Sequence, residues 1–566
     1  MGNIRPKNSY DIIIIGGGIS GLTSAALLSR AGLSVCLLET ESRPGGYLAG
    51  FDRKGFRFDS AIHWLNNCDE HGWVAKVFQI IGHDYPKAKE QRHIRRFISD
   101  DLNYLVTNKP DRLKEEWIKD FPQDKKGINR FFRDARRIAK SFDRHINLSR
   151  SMDTMGLFEK GLHGLKMLQF ALPFIPHVRY TGDQGVDKGL KKYFSSPKLR
   201  NVFASEPDLL SCLIPIAWAY SNNFQTPPTG GSQSYPEWLK YAAETMGAHL
   251  FFQSKVTKVL VQEKVAEGVE FVNKEISHQI KSKYVVAACD VETLYEKLLP
   301  QGIIKPKQRE NLKNAKLYSS AFTVSIALNC PPEDLGLGEE NIYFSEDIHN
   351  RKSLGDGDPY SSGMHIMASS VRDTSLAPKG KGTLTLFIPA KLKDHHFWAC
   401  KKDENGNFIR GKEYKTLKDR YANILIDRVQ KKVIPNLREH IEFYDVATPI
   451  THLRYTGNKN GSMMGQKPGK ENIRAKVASY QTPIKNLLLS GHWADLGGGI
   501  LIAMKSAVNT SLIILKDKKP QLFRLLAKYM DGKIDIQDLE TSNLLSPYDQ
   551  SWIQELTPAQ KNDSDF

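Results

Sequence analysis

Cysteine is scarce, six in 566 residues, and no two stand as C-x-x-C. Cys36, Cys68, Cys212, Cys289, Cys330 and Cys400 lack the histidine spacing of a zinc site. They read as small buried hydrophobes in a reducing cytosol rather than as a metal-held or disulfide-held frame. His395, His396 and Cys400 have no second cluster to complete a metal site. The chain shows no G-x-S-x-G, no Walker loop and no readable Ser-His-Asp order, which sets aside nucleophile-elbow hydrolases and P-loop enzymes. Internal repeats and low-complexity tracts are missing too. The longest apolar stretch, "LLSCLIPIAWAY" at 209–220, is too short to span a bilayer and carries Pro215. Arg5 and Lys7 precede only a short apolar run that passes into glycines, so no secretory leader is expected. A hydrophobic substrate would then be reached from the membrane surface.

The composition that is present is ordinary for a globular chain, 40% hydrophobic and 25% charged. The length calls for two or more domains. The net charge of +17 favours an anionic partner. Nucleic acid is not expected, because no reading module accompanies the charge.

The stretch 11–51, "DIIIIGGGISGLTSAALLSRAGLSVCLLETESRPGGYLAGF", carries the most information. Its β-branched run without alternation predicts a parallel strand buried on both faces. A G-x-G-x-x-G follows. Gly16 permits the tight turn, Gly18 lets backbone approach a diphosphate, and Gly21 lets helix and strand pack closely; Ser20, inside the same turn, is a candidate cofactor-binding residue. After the predicted helix and second strand, Glu39 stands where an acid takes ribose hydroxyls. Arg43, Gly45 and Gly46 come directly after it, and a plain NAD unit has no such second glycine loop.

This R-x-G-G resembles that of the large FAD-dependent family that includes amine oxidases and phytoene desaturases. The resemblance implies an α/β fold: a discontinuous Rossmann-type FAD-binding domain from 1–75, 225–295 and 483–516, an α+β substrate domain from 76–224 and 296–482, and a tail, 517–566. It implies that Gly45 and Gly46 pass close to the ribityl and flavin portions, and that Arg43 offsets phosphate charge. "PPTGG" at 227–231 is similar to the family's P-x-G-G, and Val256 matches the valine whose backbone meets adenine. "GHWADLGGG" at 491–499 resembles the closing flavin motif through Gly491, Gly498 and Gly499. Here His492 stands for the usual Asp, Leu496 for Pro and Ala507 for Gly, with Asp495 near enough to serve the ribityl chain.

"GFRFDSAIHWL" at 55–65 is similar to the F-D-x-G-I-H of retinol saturases, and "TPITHLRYTGNKNGSMMG" at 448–465 to a segment of phytoene-desaturase-like and carotenoid-isomerase-like proteins. The resemblance implies a flavin enzyme that desaturates, saturates or isomerises a long apolar polyene or isoprenoid by hydride exchange at flavin N5. NAD(P)H or another donor would act from outside, since no second dinucleotide motif exists. His63 is a candidate acid or base, or else a structural imidazole. Trp64 is a candidate stacking surface for substrate, or else core. Asp59 is expected to cap its loop, and His492 to touch the flavin.

Two amphipathic regions concern access to an apolar substrate. Segment 155–180 is rich in Leu, Phe and Met, and 150–200 holds nine Lys/Arg against four Asp/Glu. That is the pattern of an interfacial helix on anionic lipid. Segment 128–142 carries a stripe of Ile128, Phe131, Phe132, Ala135, Ile138 and Phe142. Either region could instead cover core. The expected location is cytoplasmic and peripheral to a membrane. "QLFRLLAKYM" in the tail is expected to pack on the body. Rival readings are an amine or other small-molecule oxidase, and a non-enzymatic binder similar to escort proteins of prenylated GTPases.

Overall fold

The computed structural model of the chain describes residues 5–346, 353–404 and 406–548. Residues 549–566 of the tail lie outside the described residues.

The strand Ser9–Ile15 has no solvent on either face: Ile12, Ile13 and Ile14 are all fully buried. It pairs in parallel with Val35–Leu38 on one side and with the end of Ile276–Ala287 on the other. His249–Phe251 extends one edge and Leu487–Leu489 the other, both parallel. Ser254–Gln262, Val265–Asn273 and the start of Ile276–Ala287 form an antiparallel meander. Alternate residues of the strands enter opposite cores. Ile12, Ile14 and Leu37 meet the helices Ile19–Arg30, Trp73–Ile81, Ser234–Thr245 and Gly499–Lys518. Ile13, Ile15 and Leu38 meet Val256, Leu294, Tyr295 and Leu312. This first unit therefore continues past the expected boundaries at 75 and 295, because Val77, Phe78, Leu298 and Leu312 pack in its cores.

A second sheet runs in the order Ile441–Ala447, Ser320–Leu328, Gly382–Ala390, Met364–Met367, Asn341–Phe344, His93–Ile98, Asn103–Thr107. Only the pair His93–Ile98 with Asn341–Phe344 is parallel. Val324, Ile326, Leu384 and Leu386 bury one face under the helix Lys412–Lys432. Thr323, Ser325, Thr385 and Phe387 alternate with them and so belong to the opposite face.

Helices Pro110–Asp120, Lys125–Arg144 and Leu209–Tyr220 build a separate aromatic core. The stripe on Lys125–Arg144 is inside it, with Ile128, Phe131, Phe132, Ala135 and Ile138 no more than 2% exposed. That segment is core, not a membrane face. Helix Leu157–Ala171 is the opposite case: none of its residues is buried. Helix Pro520–Met530 of the tail packs on the body through Leu522, Leu526 and Tyr529, whose hydroxyl donates to the Lys76 carbonyl at 3.1 Å. Among the described residues one helix, Gly499–Lys518, is long and apolar enough to cross a membrane, but 67% of its most apolar window is buried. The six cysteines form no disulfide.

Candidate functional site

The first glycine turn is held by contacts that no side chain could share. Gly16 has φ +108, and a Cβ there would stand 2.8 Å from the Ala288 carbonyl oxygen. At Gly21 a Cβ would run into the Gly16 carbonyl, so this glycine sets how closely helix and strand approach. Gly18 differs: a Cβ would meet no protein atom within 4 Å. The space beside its Cα is open, as a cradle for a bulky anion requires. Gly17 N–H donates to Glu39 Oε2 at 2.5 Å, and Glu39 Oε1 accepts from Glu41 N–H at 2.8 Å. The Glu39 carbonyl accepts from Ser254 N–H at 2.7 Å, which brings Val256 to the same edge of the sheet.

The second glycine loop lies against the first. Gly45 N–H donates to the Gly17 carbonyl at 2.9 Å, with φ +136 at Gly45, and a Cβ on Gly46 would be 3.2 Å from Gly18 Cα. Arg43 is exposed beside this junction. Gln233 clamps the loop to the helix that follows 227–231: its side-chain oxygen accepts from Gly50 N–H at 3.1 Å and its amide donates to the Pro44 carbonyl at 3.0 Å. Asp59 does what a capping residue should. It accepts from the Ser232 N–H at 2.9 Å and the Ser232 hydroxyl at 2.8 Å.

The closing segment reaches the same place from the far end of the chain. Ser20 and Ser490 share a hydrogen bond of 2.6 Å, and Gly491 N–H donates to Ser506 Oγ at 2.6 Å. Ser20, 5% exposed, is thus a clasp between two helices rather than an open cofactor ligand. Gly499 opens the helix Gly499–Lys518, and a Cβ there would also meet nothing within 4 Å. Asp495 Oδ2 is held by Lys505 at 2.7 Å and by the Tyr480 hydroxyl at 2.8 Å, and its Oδ1 accepts from Leu496 N–H at 2.9 Å. His492 stacks on Tyr47 with ring centres 6.4 Å apart and planes 13° apart. Tyr47 also faces His452, again at 6.4 Å. Neither Tyr47, His452 nor Gln233 was singled out from sequence. Tyr47 does follow Gly46 directly, and His452 lies inside 448–465.

Burial pushes the imidazoles of His452 and His492 down to about 4 from an ordinary 6.5. The folded protein therefore favours the neutral rings. Their stabilising contribution is complete above pH 6.5 and is lost as the pH falls toward 4. For His452, 6% exposed, the loss is about 3 kcal/mol. Urea unfolding at pH 7 and at pH 4.5 should show His452→Gln to be less acid-sensitive than the parent by about that amount.

His63 and Trp64 lie on the side of the second sheet. The His63 ring stacks on Phe387 at 4.4 Å and 12°, and its carbonyl accepts from Arg372 Nη1 at 2.5 Å. Burial, with the Arg372 charge adding to it, lowers this imidazole to about 3. At neutral pH it is uncharged. Trp64 tilts against Phe224 at 6.5 Å and packs on the edge of the helical core, with the Arg95 guanidinium 6.0 Å from its ring. Among the described residues no group of three or more His, Cys, Asp or Glu could hold a metal ion.

A family model described as an NAD(P)-binding Rossmann-like domain matches residues 14–81. An inactive all-trans-retinol 13,14-reductase of Danio rerio is 26% identical over 91% of this chain and 89% of the relative. Prolycopene isomerase 2, chloroplastic, of an Oncidium hybrid cultivar is 25% identical over 83% and 77%. An all-trans-retinol 13,14-reductase of Danio rerio is 23% identical over 93% and 90%. The chain is similar along most of its length to retinol reductases and prolycopene isomerases. The resemblance read from Arg43, Gly45, Gly46 and 55–65 is therefore carried well beyond those motifs. Among solved structures, an oxidoreductase from Methanosarcina mazei has a TM-score of 0.55 at 14% identity, covering 89% of this chain and all of its own. A putrescine oxidase mutant from a redesign of cofactor binding has a TM-score of 0.54 at 14%, covering 90% and 100%. These two show the fold.

Proposed function

We propose that the chain is an FAD-dependent oxidoreductase acting on carbon–carbon bonds of a long apolar polyene or isoprenoid. The observation that carries this reading is the junction of two glycine loops, Gly16–Gly18 against Gly45–Gly46, with Gly499 opening a helix toward a third open position. One loop serves a dinucleotide; the second extends the backbone cradle to suit the longer FAD. Gly16, Gly18, Gly21, Glu39, Arg43, Gly45, Gly46, Val256, Gly491, Gly498 and Gly499 would hold it. When bound, FAD supplies hydride exchange at N5. Tyr47 and the neutral His492 form an uncharged wall at the second loop. His63, also neutral, enters as a hydrogen-bond donor or acceptor and not as an acid. The external donor in this reading is NAD(P)H or another reductant that binds transiently.

Of the named relatives one is a retinol reductase, one a prolycopene isomerase and one an inactive retinol reductase, so saturation and isomerisation are both within the reading. The test is the absorbance spectrum of purified protein, then anaerobic incubation with polyene in vesicles. Bleaching by a polyene means desaturation. Turnover only after chemical reduction means saturation or isomerisation, which product mass separates. Bleaching by amines instead would make it an amine oxidase, and a colourless protein that takes up no FAD would end the proposal.

The same reading places substrate loading at an anionic membrane surface, docked through residues 152–178. Ten of the fifteen exposed large hydrophobics among the described residues fall there, with Leu157 89% and Phe158 86% exposed. A patch this dense is a contact surface. Lys160 and Lys166 are exposed within it and Arg179 directly after it, which suits anionic headgroups. The helix is fastened to the body, not free. Phe170 and Phe174 pack on Phe142 at 5.9 and 5.5 Å, and buried Arg150 ties Glu159 (2.9 Å) to Asp531 (2.8 Å). Flotation with vesicles should show binding to anionic lipid at low salt that weakens with added salt; no binding there would remove this part.

A further inference from the structure

The positive charge of the chain is not evenly spread. Segments 305–316 and 467–476 hold nine Lys/Arg against two Glu, a net +7 of the chain's +17 in 22 residues. All eleven of these charged residues are exposed. The two segments, far apart in sequence, form one surface. Lys467 N–H donates to the Lys316 carbonyl at 2.9 Å. Asn472 fastens both: its Oδ1 accepts from Lys316 N–H at 3.0 Å, and its Nδ2 donates to the Lys316 and Lys467 carbonyls, each at 2.9 Å. Neighbouring acids cancel little of the charge. Glu296 pairs with Arg309 at 2.9 Å, Glu471 lies 3.8 Å from Lys316, and Glu292 is spent on Lys459. Between Lys470 and Arg474, Ile473 is 59% exposed.

This surface backs onto the closing glycine loop. Gln466, next to Lys467, accepts at its carbonyl from Gly497 N–H at 2.9 Å. A Cβ on Gly498 would run into Met464. Tyr318, with the Lys467 ammonium 5.6 Å from its ring, donates its N–H to the Gly465 carbonyl at 3.3 Å. The basic patch thus begins one residue from the chain that holds Gly497.

A dense, exposed patch of one sign draws an oppositely charged partner from a distance and releases it readily. Lipid is the poorer fit, because the exposed apolar side chains that insertion needs are gathered at 152–178. Charge-steered contacts of small area are those of electron-transfer proteins. The flavin chemistry proposed above exchanges electrons with something outside the chain, which has no second dinucleotide motif.

We propose that the surface made by 305–316 and 467–476 docks an acidic one-electron carrier protein, of iron–sulfur or flavin type, that reduces the bound FAD. The assignment rests on the FAD reading above. Each full reduction uses two reduced carriers, which leave oxidised, and draws two protons from solvent to balance the two electrons delivered.

The experiment mixes the FAD-loaded, full-length protein, without oxygen, with a reduced plant-type ferredoxin and separately with a reduced flavodoxin, and follows flavin absorbance by stopped flow. Photoreduced deazaflavin, small and neutral, is the control reductant. Reduction by at least one carrier should slow at least about tenfold from low to physiological salt. Lys313→Glu, Lys470→Glu and Arg474→Glu together should slow it at least about tenfold at low salt, with FAD affinity and reduction by deazaflavin unchanged. The same charge change on the helix Lys412–Lys432, through Lys412→Glu, Lys415→Glu and Lys431→Glu, should cost less than about threefold. Equal slowing by both triple variants would mean that only overall charge matters, and would overturn the assignment. So would a parent that deazaflavin reduces and neither carrier does. So would a patch variant that keeps the parental rate and loses flotation with anionic vesicles. The FAD reading stands in each of these cases; a parent that takes up no FAD would overturn both.

Discussion

Gly18→Ala is expected to leave the cofactor-free protein as stable as its parent and to weaken FAD binding by about 100-fold. The backbone there is extended, φ −72 and ψ 174, which alanine adopts without strain. The added methyl meets no protein atom within 4 Å, so folding has nothing to lose. What the methyl does occupy is the space a diphosphate needs in order to reach the backbone. Losing one or two charge-assisted hydrogen bonds costs about 3 kcal/mol, which corresponds to about 100-fold. Gly21→Ala, three residues on, should behave differently. Its methyl collides with the Gly16 carbonyl and comes to 3.4 Å from the Ala288 Cβ, so the apo protein itself should lose about 1–3 kcal/mol. Thermal melts of both apo proteins, with FAD titrations followed by flavin fluorescence, check the pair. A Gly18→Ala protein that binds FAD normally would show that the cradle is not where the cofactor sits.

The second large effect concerns the apolar helix. Replacing Leu157, Phe158, Leu165 and Leu168 together by Asp is expected to abolish flotation with anionic vesicles while the melting temperature moves little. Each of the four is exposed, so the folded state loses almost no contact. A large apolar side chain transferred fully from water gains about 1.5–3 kcal/mol, and four of them together exceed any binding a peripheral protein could retain. Lys160→Glu with Lys166→Glu should be milder, about 1 kcal/mol per charge, and should vanish at high salt. Undiminished flotation of the fourfold variant would place the docking surface elsewhere. A change in oligomeric state without lipid would make this face a contact between copies of the chain.

Much of the first unit was legible because its rules are local. A strand buried on both faces, a turn that only glycine can make and an acid at the next strand end depend on residues within a short span, and Gly16 and Gly21 make the tight turn and the close packing expected of them, with Glu39 beside them at the strand end. Asp59 could be read as a loop cap, though not that Ser232, far along the chain, is what it holds. Ser20 shows the limit. Its position in the glycine turn suggested a ligand, whereas Ser490 and Ser506 claim its hydroxyl.

Sequence by itself determined the nucleotide-binding strand, turn and helix, the second glycine loop and the existence of two amphipathic helices, because each is set by neighbours within a few residues. Tertiary structure alone decided that 128–142 is core while Leu157–Ala171 is bare, that Tyr47 meets His492, and that His63 stacks on Phe387. Amphipathicity says that a face is apolar, not what covers it, and partners brought together from hundreds of residues apart leave no periodicity to read.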